Sequence, residues 1–279
     1  AFFDNQRLAE HMSFWKQKLE GHIPVLPLPQ KAKRPKLITG NGKLLIKTID
    51  ADLSDKIRNY SVTNGSTLFI TMMTAFKLTL SRFSNETDIC VGTAVANRRL
   101  ASIENILGMV INTITLRTQL EASDTFADAL EKVKETCFEA YTYEDTPFGK
   151  VVEHVSPKRS LGLMPLFQYI FSFMNTPSRN LFLPDMDLEI LDSHNLSAKF
   201  DINVVVVTPY EQAMLEGVEE TDRTIIVEWE YNSDIYAEDT MWQMLDSYFE
   251  ILEAVVTTPK ISYKQIPCMS QDQKKELLI

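Results

Sequence analysis

The chain has 279 residues, 44% of them hydrophobic and 24% charged, which is enough apolar material for a sizeable globular core. Lys and Arg total 28 against 38 Asp and Glu, so the net charge of −10 at pH 7 repels phosphate backbones and anionic lipid. Nucleic acid and membrane surfaces are therefore set aside as partners, and no apolar run approaches the roughly 18 to 20 residues that cross a bilayer.

Leu8, Met12, Trp15 and Leu19 recur at helical spacing, which predicts an opening amphipathic helix that stops at Gly21. From Ile23 to Gly42, Pro24, Pro27, Pro29 and Pro35 forbid regular helix or central strand, so the stretch reads as an extended connector. Leu44 to Ile49 is a short strand, Leu53, Ile57 and Tyr60 mark a helix closed by Asn64-Gly65, and Thr67 to Phe83 is a strongly apolar helix. Ile89 to Val95 and Asn112 to Leu116 are β-rich. Between Asp124 and Tyr143, residues Phe126, Leu130, Val133, Cys137 and Tyr141 line one helical face. This alternation predicts an α/β fold, a sheet with helices packed on it. In the last third, strands Phe167 to Phe173, Phe200 to Val207 and Thr224 to Tyr231 follow one another with no helix expected between them. Val227, Trp229 and Tyr231 alternate with Glu228 and Glu230, the pattern of a half-buried strand. Met241, Met244, Leu245, Tyr248, Leu252 and Val255 close the chain's ordered body as an amphipathic helix.

Chemistry-bearing motifs are sparse. The nine glycines are not spaced as GxGxxG or GxxxxGK, so phosphate-cradling loops are not expected. His11, His22, His154 and His194 are isolated, no CxxC, HExxH or HxH pair offers metal-ligand spacing, and no GxSxG elbow occurs. Cys137 falls on an apolar stripe and reads as a small buried hydrophobe; His154, near the end of a short helix after Phe148, reads as a capping or surface residue before a base. Cys90, Cys137 and Cys268 lie far apart and cannot all pair, which favours a reducing cytoplasm. The start, Ala1-Phe2-Phe3-Asp4-Asn5, lacks an initiator Met and a signal peptide's pattern and reads as a cut inside a longer protein.

Three stretches carry a family resemblance. Leu107 to Arg117 resembles (I/V)GxFVNTxxxR, with Val110 for the usual Phe. Tyr143 to Gly149 resembles HQDxPFE, with Tyr143 and Glu144 where His and Gln are common and Gly149 for the last Glu. Lys158 to Leu166 resembles RDxSRxPL loosely, and Pro165-Leu166-Phe167-Gln168 continues it. Phe14 to Gly21 is similar to YWxxxLxG and Val91 to Arg98 to VGTPVANR, while Ser197 to Asp201 and Glu230 to Asp234 sit in family order. The chain thus resembles the C-terminal half of a condensation domain of nonribosomal peptide synthetases.

That resemblance implies a chloramphenicol-acetyltransferase-like half, with a mixed, mainly antiparallel sheet packed with helices. It divides the chain into a helix and Pro-rich connector over 1–42, a C-terminal subdomain over 43–258, and a linker toward a downstream adenylation domain over 259–279. The family's HHxxxDG motif belongs to the first half. Here no two histidines adjoin, and the residues four beyond them are Trp15, Leu26, Lys158 and Ala198, so no catalytic residue is assigned to this chain. Asn97, Arg98, Gly108, Asn112 and Thr113 are expected near the cleft. Asn112 has a second reading, the satisfaction of buried backbone groups. Arg117 and Asp145 are expected to form a buried ion pair, Pro147 and Phe148 to fix a turn and fill core, and Pro165, Leu166, Phe167 and Gln168 to complete a structural motif. The implied partners are the N-terminal half, donor and acceptor carrier proteins and the adenylation domain. No cofactor or metal is expected to bind directly, the phosphopantetheine arms arriving on the carriers. The alternatives are a non-catalytic carrier-docking scaffold, the matching half of an epimerisation-type relative, and a stand-alone acyltransferase using His154 or Cys137.

Overall fold

The computed structural model describes residues 5–23, 25–37, 39–98, 107–108, 110–155, 162–174, 194–216, 222–258 and 260–266. Met109, Lys158 to Leu161, Cys268 and the tail from 267 lie outside the described residues.

The predicted elements form in order. Helix α1 (Asn5–Leu19) ends before Gly21, whose φ of 81° lies in the left-handed region that glycine enters without strain. Over 23–40 the connector contains neither helix nor strand among its described residues, yet Leu26 and Leu28 are buried in the same core as Trp15 and Leu19. Strand β1 (Gly42–Ile49) leads to α2 (Ala51–Thr63), whose N-terminus is capped by the Asp50 side chain accepting from Leu53 N at 2.9 Å. Thr67 caps α3 (Leu68–Ser84) in the same way, and Asn85 at φ 57° ends it. Strands β2 (Asp88–Val95) and β3 (Asn112–Gln119) precede α4 (Phe126–Thr142), which opens with a reciprocal Thr125–Asp128 capping box. There follow α5 (Phe148–Val155), β4 (Tyr169–Met174), β5 (Ile202–Val207), α6 (Pro209–Glu216), β6 (Ile225–Asn232) and α7 (Glu238–Thr257).

Helix α6 corrects the expectation of consecutive strands with no helix between them. Its eight residues are too few to show an apolar period, but Thr208-Pro209 followed by Glu211 carries a start signal: proline at the first helical position and an acid in the first turn.

The six strands make one sheet in the order β1-β6-β5-β4-β2-β3. β1/β6, β5/β6 and β2/β3 pair antiparallel, and β4 runs parallel to both β5 and β2. This is the mixed, mainly antiparallel sheet that was expected. Helices α2, α3, α4 and α7 pack against one another as a layer over one face. Phe76 of α3 meets Phe171 at 5.6 Å and Trp229 at 5.5 Å between ring centroids, so the centre of that layer is aromatic. Lys77, one residue on, is 0% exposed; its Nζ donates to Leu116 O at 2.8 Å and Thr118 Oγ1 at 2.6 Å. Burial pushes its pKa down to about 8.

On the opposite face the Phe167 ring lies over Gly92, where an added Cβ would overlap it. Phe167 also meets Phe148 at 5.6 Å and Phe200 at 5.8 Å. Over β1, β6 and β5 the same face forms an open groove of about 350 Å³ with Leu44, Ile46, Val205, Asn203 and Glu228 in its lining. No helix among the described residues is long and apolar enough to cross a membrane.

Candidate functional site at the Asn112 end of the sheet

Strand pairing gathers the expected site residues. Val95 pairs with Asn112 and Ala94 with Thr113 at the last rung of the β2/β3 ladder. Just beyond it Asn97 takes the left-handed conformation, φ 52°, and turns the chain out of the strand. Arg98 Nη2 then donates to Gly108 O at 3.3 Å, and Gly108 itself sits at φ 151°. Asn97, Arg98, Gly108, Asn112 and Thr113 therefore share one end of one hairpin-like pair.

Asn112 spends its amide on main chain. Nδ2 donates to Glu144 O and to Thr146 O, each at 2.7 Å, and Oδ1 accepts from Phe148 N at 3.1 Å. Of its two readings, the bonding seen is the satisfaction of backbone groups. Three main-chain groups between the end of α4 and the start of α5 are thereby tied to the first residue of β3. Pro147 O receives Lys150 N at 2.9 Å and Val151 N at 3.2 Å, so Pro147 opens α5 while remaining exposed, and Phe148 fills the space beside Phe167.

The Arg117–Asp145 pair is not formed. Arg117 instead grips Asp88 through Nη2 at 2.7 Å and Nε at 3.0 Å, and donates to Glu20 O at 2.7 Å and His22 O at 3.2 Å. Asp145 pairs with Arg7 at 3.5 Å. The reason is distance along the strand: Asp145 sits at the Asn112 end, and five residues at about 3.3 Å each separate that end from Arg117. Pro165 to Gln168 lie at the entry to β4, where Phe167 meets the Phe148 ring. There Leu166 adopts φ 70°, Phe167 N donates to Pro165 O at 2.9 Å, and Gln168 Nε2 donates to Met164 O at 3.0 Å.

Sequence reading missed His11. It is 5% exposed, and its Nδ1 lies 2.9 Å from Thr146 Oγ1, itself buried. Tyr143 is stacked on Phe14 at 4.0 Å and met edge-on by His11 at 4.9 Å, while Trp15 Nε1 reaches Tyr143 O at 3.3 Å. The available signal was position: His11 precedes Trp15 by one helical turn and so borders the apolar stripe of α1. Burial, and secondly the charge of Arg7, lower the His11 pKa from its ordinary value.

The other candidates for nucleophile or base are poorly placed. Cys90 and Cys137 are buried, and burial raises their thiols to about 12 and about 11. His154 is exposed on α5, and His194 pairs with Glu230 at 3.1 Å. Among the described residues no cluster of three or more His, Cys, Asp or Glu side chains suits a metal ion. What this end of the sheet offers is amide, guanidinium and hydroxyl groups on a rigid frame, suited to positioning.

A family model described as the condensation domain matches residues 1–278. A linear gramicidin synthase of Brevibacillus parabrevis is 32% identical over 283 residues, covering 100% of this chain and 5% of that protein. Gramicidin S synthase 2 of Brevibacillus brevis is 30% identical over 266 residues, covering 95% of this chain and 6% of that protein. The chain thus spans a small part of these relatives. Among solved structures, a holo four-domain nonribosomal peptide synthetase bound to AMP and glycine superposes with a TM-score of 0.85 at 22% identity, over 98% of this chain and 21% of that one. The X-domain from teicoplanin biosynthesis, in its complex with OxyB, gives a TM-score of 0.82 at 20% identity over 95% of this chain and 56% of that one.

Proposed function

The chain belongs to the condensation-domain family, and we propose that it is the C-terminal lobe of such a domain, working with a first lobe that carries HHxxxDG to join carrier-bound aminoacyl or peptidyl thioesters into a peptide bond. The observation that carries this reading is the Asn112 end of the sheet: the Val91–Arg98, Leu107–Arg117 and Tyr143–Gly149 stretches meet there with no accessible nucleophile and base among their described residues. A positioning surface without its own reactive pair is what one lobe of a shared centre requires. Coverage of 95% of this chain but 56% of the X-domain chain supports the division into lobes.

In the proposed reaction the α-amine of the acceptor thioester attacks the donor thioester carbonyl. The tetrahedral adduct expels the donor carrier's thiolate, and the proton lost from the new amide nitrogen leaves that thiol neutral. An aminoacyl α-amine of pKa roughly 7.7 to 8 is partly neutral near pH 7, so placement outweighs the need for a strong base. Holding two tethered reactants at attack distance contributes on the order of 7 to 11 kcal/mol. In this reading Asn97, Arg98, Gly108 and Thr113 lie on the wall past which the phosphopantetheine arms of donor and acceptor carriers enter, and an adenylation domain follows the chain.

The test is to supply a protein that joins this chain to its first lobe with loaded donor and acceptor carriers and assay for the dipeptidyl thioester. Product formed only when both lobes are present is expected; no product from the joined protein overturns the reading. A non-catalytic docking module is the second reading, favoured by the fold likeness to an X-domain seen in complex with OxyB. In that case the joined protein binds a partner domain and forms no amide.

A further inference from the structure

Helix α1 holds the segment between α4 and α5 from one side, and Asn112 holds it from the other. From α1, Phe14 and His11 enclose the Tyr143 ring, Trp15 bonds Tyr143 O, Arg7 pairs with Asp145, and His11 meets the Thr146 hydroxyl at 2.9 Å. From β3, Asn112 takes the carbonyls of Glu144 and Thr146 and the Phe148 amide. Thr146 is the residue both sides share. It is 1% exposed, so its hydroxyl has no ready access to water, and a side chain on α1 must match it.

We propose that His11 is a positioning residue: by holding Thr146 it keeps the 143–148 segment where Asn112 can engage it, and so fixes the β3 end that carries Asn112 and Thr113 beside Arg98 and Gly108. An apolar ring at position 11 would retain the contact with Tyr143 and orphan the Thr146 hydroxyl, loosening the segment without emptying the core. Asparagine can place an amide where the imidazole Nδ1 stands, so His11→Asn keeps the bond with less packing. In catalysis this role rests on the amide-forming reading above; its geometric consequence does not.

Two measurements separate these levels. The first is hydrogen exchange at the Phe148 amide in the 279-residue chain. At pH 7 His11→Phe is expected to speed this exchange by about ten-fold or more while β5 and β6 amides keep their protection, and His11→Asn to return it to within about three-fold of the wild type. The groups facing His11 are Arg7 and Glu10 from α1 and Tyr143 and Asp145 from the segment. Since burial and Arg7 both disfavour the imidazolium, wild-type protection at Phe148, corrected for intrinsic exchange, falls as acid charges His11, whereas His11→Asn shows no such step. The second measurement is dipeptidyl thioester formation by the joined protein, expected to drop about ten-fold or more in His11→Phe and to recover in His11→Asn. Unchanged Phe148 exchange in His11→Phe overturns the proposal, as does an active joined protein whose rate ignores the substitution. A wild-type joined protein that forms no amide removes the catalytic reading alone, and the exchange result still decides the geometry. Should His11→Phe fail to fold, Thr146→Val removes the same bond with the imidazole in place and must give the same exchange response.

Discussion

Asn112 shows how one side chain's local bonding decides what a motif residue does. Truncation to Ala removes the bonds to two carbonyls and one amide of a half-buried segment, a cost of about 2 kcal/mol after allowing for partial access to water. Asn112→Asp retains the size but sets a carboxylate against the oxygens of Glu144 and Thr146, and is expected to cost more than Asn112→Ala; urea midpoints at constant m-value check the order. Lys77 allows a second prediction. Below pH 8 it is charged in folded and unfolded chains alike, and the folded state bears the full burial cost. Between its folded pKa of about 8 and the ordinary 10.5 the unfolded chain binds more protons, so stability rises with pH across that window. Lys77→Met has no such dependence. The wild type should therefore gain on Lys77→Met by about 3 kcal/mol between pH 7 and pH 10.5.

At the scale of elements, three helices start on a capping side chain: Asp50, Thr67 and Thr125 each accept from the first turn. Helix α7 departs from this, since Ala237 stands at its N-cap with extended dihedrals and no side-chain bond. Ala237→Ser supplies the missing acceptor without changing the backbone and is expected to stabilise the chain by about 0.5 to 1 kcal/mol, seen as a raised Tm. Element type was readable wherever apolar period was long. Helix α6 was not, because eight residues opened by a proline leave little periodic signal, and it docks instead through Arg58, whose Nε and Nη2 reach Glu211 at 2.7 and 3.1 Å.

For the whole molecule, the sheet is covered unequally. One face carries the helical layer; the other is filled by Phe167 and its neighbours near β2 but stays open over β1, β6 and β5, where Ile46 is 46% exposed. Leu44, Ile46 and Val205 stand among Asn203, Glu228 and Glu230 on that open face, and exposed apolar side chains there favour association. The 279-residue chain by itself is therefore expected to self-associate, with a sedimentation coefficient that rises with concentration, and Ile46→Lys should shift it toward monomer. A second whole-molecule device is the Arg34–Asp201 pair, with Tyr236 OH also donating to Asp201 at 3.2 Å, which pins the proline-rich connector to the start of β5.

Apart from helix α6, the sequence by itself determined which segments are helix and which are strand, the cores of those elements, and the stretches that resemble a condensation domain, because period and motif order are local properties. Tertiary structure alone decided the strand order, the choice of Asp88 over Asp145 by Arg117, the inward turn of His11 and the work of the Asn112 amide. Each of these is a pairing between residues far apart in the chain, settled by which end of a strand and which face of the sheet they reach, and spacing along a sequence carries no record of that.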